Sequence, residues 1–264
     1  MLKICVLEVC AFEPSQQHHL YFKGVDLYFV SYKIKSTSSN CLGFYPKSEW
    51  SETRNYLYEN VPKKYDYYMF IDDDIILNSN TNLSVMDQII NDLQILYPAQ
   101  LSPAYDREKL DKSYPYYKRL FSNNCCKIYH KSILNWVLPY NRDFGGGWSA
   151  CHFINFLEIS FQDYIITTTN ISMSNPISSG HDKQKNNQHK INMENIWLYI
   201  KPAFRQIYNT GATSLDIKQF YQNQTKPLDR LDTNVNTNFL KIVDIRKYFD
   251  VSHPYFKKYR SRYI

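Results

Sequence analysis

The sequence predicts an α/β fold, a sheet with crossover helices, and two observations predict it. Short apolar runs and longer amphipathic runs alternate through about residue 170, the pattern of strands joined by helices. The central apolar run, residues 67–71, stops abruptly at three adjacent carboxylates, Asp72, Asp73 and Asp74. A buried strand ends this way where it reaches a polar edge of the sheet.

The elements follow in order. Residues 3–9 read as a short strand. Residues 25–32 (VDLYFVSY) read as a second, rich in β-branched and aromatic side chains. A polar loop over 33–40 leads to a helix over 48–61, with Ser48 or Ser51 as its cap and Trp50, Leu57 and Val61 near helical spacing. Residues 67–71 are too few for a helix and suit a central strand. After the three Asp, residues 78–84 read as a polar loop. Ser84 and Asp87 resemble a capping box, and Val85, Ile89, Leu93 and Leu96 form a helical stripe. Strands are expected at 99–101, 125–129 and 164–169, a short helix at 131–138, and a helical segment around 148–157 opened by Gly145, Gly146 and Gly147. Residues 172–192 are polar and turn-rich and read as a long loop. Residues 195–208 read as a helix interrupted at Pro202. Residues 238–248 suit a strand or a helix equally.

Composition narrows the classes. A chain of 264 residues allows one large domain, or one domain with a C-terminal appendage. The net charge of +6 is spread along the chain. Its one basic cluster, Lys257, Lys258, Arg260 and Arg262, reads as a solvated terminus, so no nucleic-acid partner is expected. None of the six cysteines forms a CxxC pair, which fits buried thiols in a reducing compartment. The N-terminal apolar run is broken by Lys3 and Glu8 and reads as a strand rather than a signal peptide. No stretch is long and apolar enough to span a bilayer. A cytoplasmic location is the expectation; nothing in the chain sets its oligomeric state. The 24 tyrosines suit surfaces on which sugar rings stack, though coding bias accounts for most of them.

Three adjacent carboxylates repel one another and need a cation or a function. Ligands of open α/β sheets gather at the carboxyl ends of strands. Carboxylate oxygens there suit Mg²⁺ or Mn²⁺ shared with substrate phosphates. If the chain stays extended, Asp72 and Asp74 point one way and Asp73 the other.

On these residues the chain resembles glycosyltransferases of the GT-A fold, whose D-x-D motif binds a divalent ion and a nucleotide sugar. The motif strand is YDYYMFIDDDIIL. WSETRNYLY (50–58), DLQILYPAQLSPAYD (92–106), CCKIYHKSILNWV (125–137) and GGGWSACHF (145–153) are similar in order and spacing to one branch that includes a glycosyltransferase domain of large algal viruses, a rhamnosyltransferase. The resemblance covers about residues 1–180. It implies a GT-A-like (Rossmann-like) mixed, mostly parallel sheet flanked by helices; residues 181–264, beyond the resemblance, are expected to form a C-terminal helical extension packed on that domain. It implies a nucleotide-diphosphate sugar donor, UDP favoured, a glycan or other hydroxyl acceptor, and Mn²⁺ or Mg²⁺. Asp74 would bind the metal, with Asp72 on the ribose or in the metal shell and Asp73 assisting at the donor. Arg54 would sit near the nucleotide; the bland reading makes it a surface arginine beside Glu52 and Glu59. Trp148 would stack on the acceptor. The relatives often carry an Asp shortly after that Trp. This chain has Ser149, Ala150, Cys151 and His152 there, so His152 or Asp143 is the candidate base. His181, beside Asp182, is the candidate third metal ligand. His18 and His19 fall in a loop and receive no role. Two rivals remain: a sugar nucleotidyltransferase, which usually shows a Gly-rich loop where this chain has CAFEPSQQHHL (10–20), and a non-catalytic nucleotide- or carbohydrate-binding protein of the same fold.

Overall fold

A computed structural model describes residues 2–47, 49–119, 122–140, 154, 155, 157, 158, 165–176, 226 and 227. Its strands are β1 (Ile4–Cys10), β2 (Asp26–Ser31), β3 (Cys41–Phe44), β4 (Tyr67–Asp72), β5 (Ile76–Ser79), β6 (Gln100–Tyr105), β7 (Tyr116–Arg119), β8 (Cys126–His130), β9 (Ile165–Ser174) and β10 (Lys226–Pro227). Its helices are α1 (Gln16–Tyr21), α2 (Trp50–Asn60), α3 (Val85–Leu96) and α4 (Lys131–Val137).

The strands form one sheet in the order β10-β7-β9-β6-β8-β4-β1-β2-β3, with β5 paired to β9. β3, β2, β1 and β4 are parallel neighbours. β8 is antiparallel to β4 and to β6, so β6 runs with β4, and β9 is parallel to β6. The sheet is therefore mixed and mostly parallel, and β1, β2, β4 and β9 all end at one edge. β4 lies mid-sheet, and Tyr67, Tyr68, Met69, Phe70 and Ile71 are all buried. Covered on both faces, it cannot alternate polar and apolar residues, which is why it reads as a continuous apolar run.

α3 packs the predicted stripe, Val85, Ile89, Leu93 and Leu96, into the core. Ser84 caps it by accepting from Asp87 N at 3.2 Å. Its inner face also carries Asp92, which is fully buried and accepts from Gln88, Tyr116, Thr168 and Asn170. Of these four donors, Tyr116, Thr168 and Asn170 tie α3 to β7 and β9.

The structure corrects several boundaries. Asn78 and Ser79 belong to β5, held by Ser172 and Ile171 of β9, rather than to a polar loop. β9 runs on to Ser174 and takes in the start of the expected 172–192 loop. β6 continues to Tyr105 through Pro103, where a register shift accommodates the residue that cannot donate. Glu49 caps α2, without a side-chain bond. Residues 16–21 are a helix capped by Ser15 and not a loop. Of the expected C-terminal helical extension, only Lys226 and Pro227 fall among the described residues, and they pair as a strand with β7. Cys5, Cys10 and Cys126 are buried thiols, and Cys41 and Cys125 are half-buried ones. Among the described residues no helix is long and apolar enough to cross a membrane.

At the far edge of the sheet, His130 caps α4. Its Nδ1 accepts from Ser132 N at 3.3 Å and from Ser132 Oγ at 2.8 Å, and its ring packs on Tyr67 and Tyr97. Burial, and then the charge of Lys131, push its pKa below the usual histidine value against the pull of Asp66. The folded state thus prefers the neutral ring. That stability is complete above the unfolded pKa of about 6.5 and is lost as pH falls below it. Melting curves are expected to shift down by a few degrees between about pH 7.5 and pH 5, on the order of 1 kcal/mol. His130→Asn, which retains a capping oxygen, should flatten that slope; an unchanged slope would remove His130 from the account.

Candidate functional site

Asp72 is the last residue of β4, and its N–H still bonds to Cys125 O, just ahead of β8, at 3.0 Å. Beyond it the chain turns, with Ile75 N donating to Asp72 O at 3.2 Å. The turn breaks the extended geometry, so the three carboxylates do not alternate faces. They diverge toward three different elements, which corrects the expectation that Asp72 and Asp74 share a side.

Asp72 points to α2. Its Oδ1 lies 2.7 Å from Arg54 Nη2 and accepts from Trp50 Nε1 at 3.1 Å. Arg54 is 1% exposed. Its Nη1 donates to Asn124 O at 2.9 Å, and its guanidinium stacks 4.0 Å from the centre of the Trp50 ring. Trp50 in turn stacks on Tyr140, with ring centres 5.4 Å apart. Arg54 is therefore neither the exposed helix arginine nor an open nucleotide contact. It is a buried counter-ion that fixes Asp72 at the floor of the rim. A metal bound by Asp72 would compete with that ion pair.

Asp73 turns toward the ends of β1 and β2. Its Oδ2 accepts from Ala11 N at 3.0 Å and sits 3.5 Å from the Tyr32 hydroxyl. Burial raises its pKa above the usual carboxylate value. The Ala11 N–H opposes this, and the charges of Asp74, Asp72 and Glu8 add to it. Ala11 O accepts from Lys33 N and Ile34 N, which zips the two strand ends together. Phe12 and Ile34 project beside this contact, 43% and 60% exposed.

Asp74 faces the end of β9, where Asn175 Nδ2 donates to its Oδ2 at 2.8 Å. The carbonyl of Ile75 next to it accepts from His18 Nε2 at 2.8 Å, and His18 Nδ1 lies 2.9 Å from Glu8 Oε2. Burial opposes a charge on His18, but its bond to Glu8 and that residue's charge, then the Ile75 carbonyl and Asp73, leave its pKa raised.

The rim therefore carries Asp73 and Asp74 as its presented carboxylates, with Tyr32 and Asn175 beside them. Among the described residues no three His, Cys, Asp or Glu side chains converge on one point. Two neighbouring carboxylates suit a cation that takes one or two of them and completes its shell from phosphate oxygens. Asp143, Trp148, His152 and His181, with the GGGWSACHF stretch, lie outside the described residues. The described flanks of that stretch are anchored beside Arg54 and β8. Tyr140 N and O bond to Asn55 at 2.6 and 2.9 Å, Asn155 bonds to Ser122, and Glu158 pairs with Lys127.

Sequence reasoning missed Asn175, Tyr32 and the Glu8–His18 pair. Glu8 offered a signal, an acid inside the apolar run ICVLEVC. Asn175 offered none, because only the register of β9 brings it to Asp74.

No family model and no curated protein matches the chain. Among solved structures it is similar to S. aureus TarS 1-349, a GT-A glycosyltransferase, at 9% identity and a TM-score of 0.50, covering 83% of this chain and 69% of that one. It is also similar to GalNAc-T7 with UDP, GalNAc and Mn²⁺, at 9% identity and a TM-score of 0.48, covering 96% and 58%. The fold is GT-A.

Proposed function

We propose that this chain is a metal-dependent glycosyltransferase that moves a sugar from a nucleotide-diphosphate donor, UDP-linked by preference, to a hydroxyl of a glycan or similar acceptor. One observation carries the reading: Asp73 and Asp74 stand on a tied-down turn at the edge where the parallel strands of a GT-A sheet end. The donor set fits a hard divalent cation, because crowded carboxylates partly withdrawn from water are relieved by one. Asp74, with the amide of Asn175 beside it, would hold Mn²⁺ or Mg²⁺, and His181 is the sequence candidate for a further ligand. When bound, the ion supplies Lewis-acid neutralisation of the charge that grows on the departing nucleoside diphosphate.

The chain's own residues do the rest. Asp73, which accepts from Ala11 N and lies near the Tyr32 hydroxyl, would take a ribose hydroxyl. Phe12 and Ile34 offer an apolar flank for a flat base. Arg54 and Trp50 hold Asp72 so that the turn starts from a fixed point. Trp148 is proposed as the acceptor's stacking plane, with His152 or Asp143 as its base.

Titration calorimetry with UDP, with and without Mn²⁺, followed by a screen of nucleotide sugars for Mn²⁺-dependent hydrolysis, tests the reading. Tight UDP binding that requires Mn²⁺ is expected, with turnover of one donor. UDP binding indifferent to Mn²⁺, or no binding at all, would sink it.

A further inference from the structure

The turn that bears Asp73 and Asp74 is held from below by a pair that the proposed chemistry does not use. His18 is 2% exposed and Glu8 is fully buried. Both ring nitrogens of His18 face oxygen: Nε2 the carbonyl of Ile75 at 2.8 Å, and Nδ1 the carboxylate of Glu8 at 2.9 Å. A carbonyl can only accept, so Nε2 carries a proton. The Nδ1–Glu8 contact leaves Nε2 as the protonated nitrogen aimed at the carbonyl, whichever of the two groups holds the proton between them. Among the described residues Glu8 has no hydrogen-bond donor besides this contact. An acid in the middle of β1 is costly unless paired, and Val6 and Cys10, on the same face of β1, pack into the apolar core. A leucine at each position would serve packing alone.

Geometry gives the pair its task. The turn is fastened at Asp72 N to Cys125 O, at Asp73 to Ala11 N, and at Ile75 O to His18. The first two precede Asp74. His18 is the side-chain fastening that follows it, one residue ahead of Ile76, where β5 begins to pair with β9, and α1 holds the ring in place through the Ser15 cap and contacts with Tyr21 and Phe22.

We propose that Glu8 and His18 are positioning residues: a buried pair that grips the carbonyl of Ile75 and thereby sets the direction in which Asp73 and Asp74 present their carboxylates. The effect on binding rests on the donor-site reading above; the tether itself does not. His18→Ala alone would leave the buried Glu8 without its partner and could prevent folding, so two double variants that carry neither ionisable group are compared. In Glu8→Gln/His18→Gln an amide N–H can still reach the Ile75 carbonyl. In Glu8→Gln/His18→Leu nothing can donate to it.

The leucine variant is expected to bind UDP in the presence of Mn²⁺ roughly 10- to 100-fold more weakly than the glutamine variant, the range typical when a partner behind a metal ligand is lost. The amides of Asp73, Asp74 and Ile75 should exchange with solvent faster in the leucine variant, while those of α3 do not change. Equal affinity and equal exchange in the two variants overturn the tether. So does faster exchange throughout the chain, or failure of the leucine variant alone to fold, since either makes the pair a general stabiliser. A wild-type chain that ignores UDP and Mn²⁺ overturns the donor-site reading instead, and the exchange comparison then decides the tether by itself.

Discussion

Asp74→Ala is expected to abolish Mn²⁺-dependent UDP binding, a loss of at least about 100-fold, since even residues behind a metal ligand cost 10- to 100-fold. The structure separates the three neighbouring carboxylates in a way that makes the comparison informative. Asp72 is spent on Arg54 and Trp50, Asp73 leans on Ala11 N, and Asp74 meets only the Asn175 amide among the described residues. Asp72→Asn should therefore cost melting temperature, because it leaves the buried Arg54 short of its counter-charge. Asp74→Ala should cost little stability, because it removes a crowded negative charge and one amide bond. Calorimetry and thermal melts on the same two variants read both effects. If Asp72→Asn loses Mn²⁺-dependent binding and Asp74→Ala keeps it, the assignment of ligand and support is reversed.

The largest effect on stability is expected at Lys127. Its ammonium lies 2.7 Å from Glu158 Oε2, both side chains are fully buried, and Tyr129 donates to the other carboxylate oxygen at 2.5 Å. Lys127→Met leaves that carboxylate without a cation, a change that costs about 3–5 kcal/mol for a buried pair. Burial raises the Glu158 pKa even with Lys127 and Tyr129 opposing it. The folded state of the variant will therefore favour the protonated acid. A raised carboxyl pKa means stability is lost as pH rises from the unfolded value of about 4.3 through the folded one, so the penalty should be larger at about pH 8 than at about pH 5. Lys127→Met/Glu158→Leu should recover most of the loss, as apolar replacements of buried ion pairs do. Urea unfolding at the two pH values measures this; a penalty that does not depend on pH would mean that Glu158 is not the group left behind.

The legible parts of the fold were those whose signal is local. β4 showed itself because burial on both faces leaves no polar position in YYMFI. α3 showed itself because its stripe and its Ser84 cap are written in consecutive residues. β3, β5 and β7 were missed because four residues such as ILNS or YYKR carry no periodicity; they are strands only because β2 or β9 lies alongside. α1 was missed because a six-residue helix with two histidines has almost no apolar stripe.

The candidate site divides in the same way. The amino-acid order alone determined that three carboxylates follow a buried strand, and hence that a polar, cation-seeking edge exists near residue 73. Which carboxylate does what was decided by tertiary structure. The turn after Asp72 cancels the period of two that an extended chain would impose. Arg54, which by sequence sat with Glu52 and Glu59, was drawn into the interior to neutralise Asp72. Asn175 reaches Asp74 across a gap of 101 residues, and His18 reaches Ile75 across 57. Such contacts depend on strand order and register, which no short stretch of sequence encodes, whereas a run of acids at a strand end is encoded in full by the stretch that contains it.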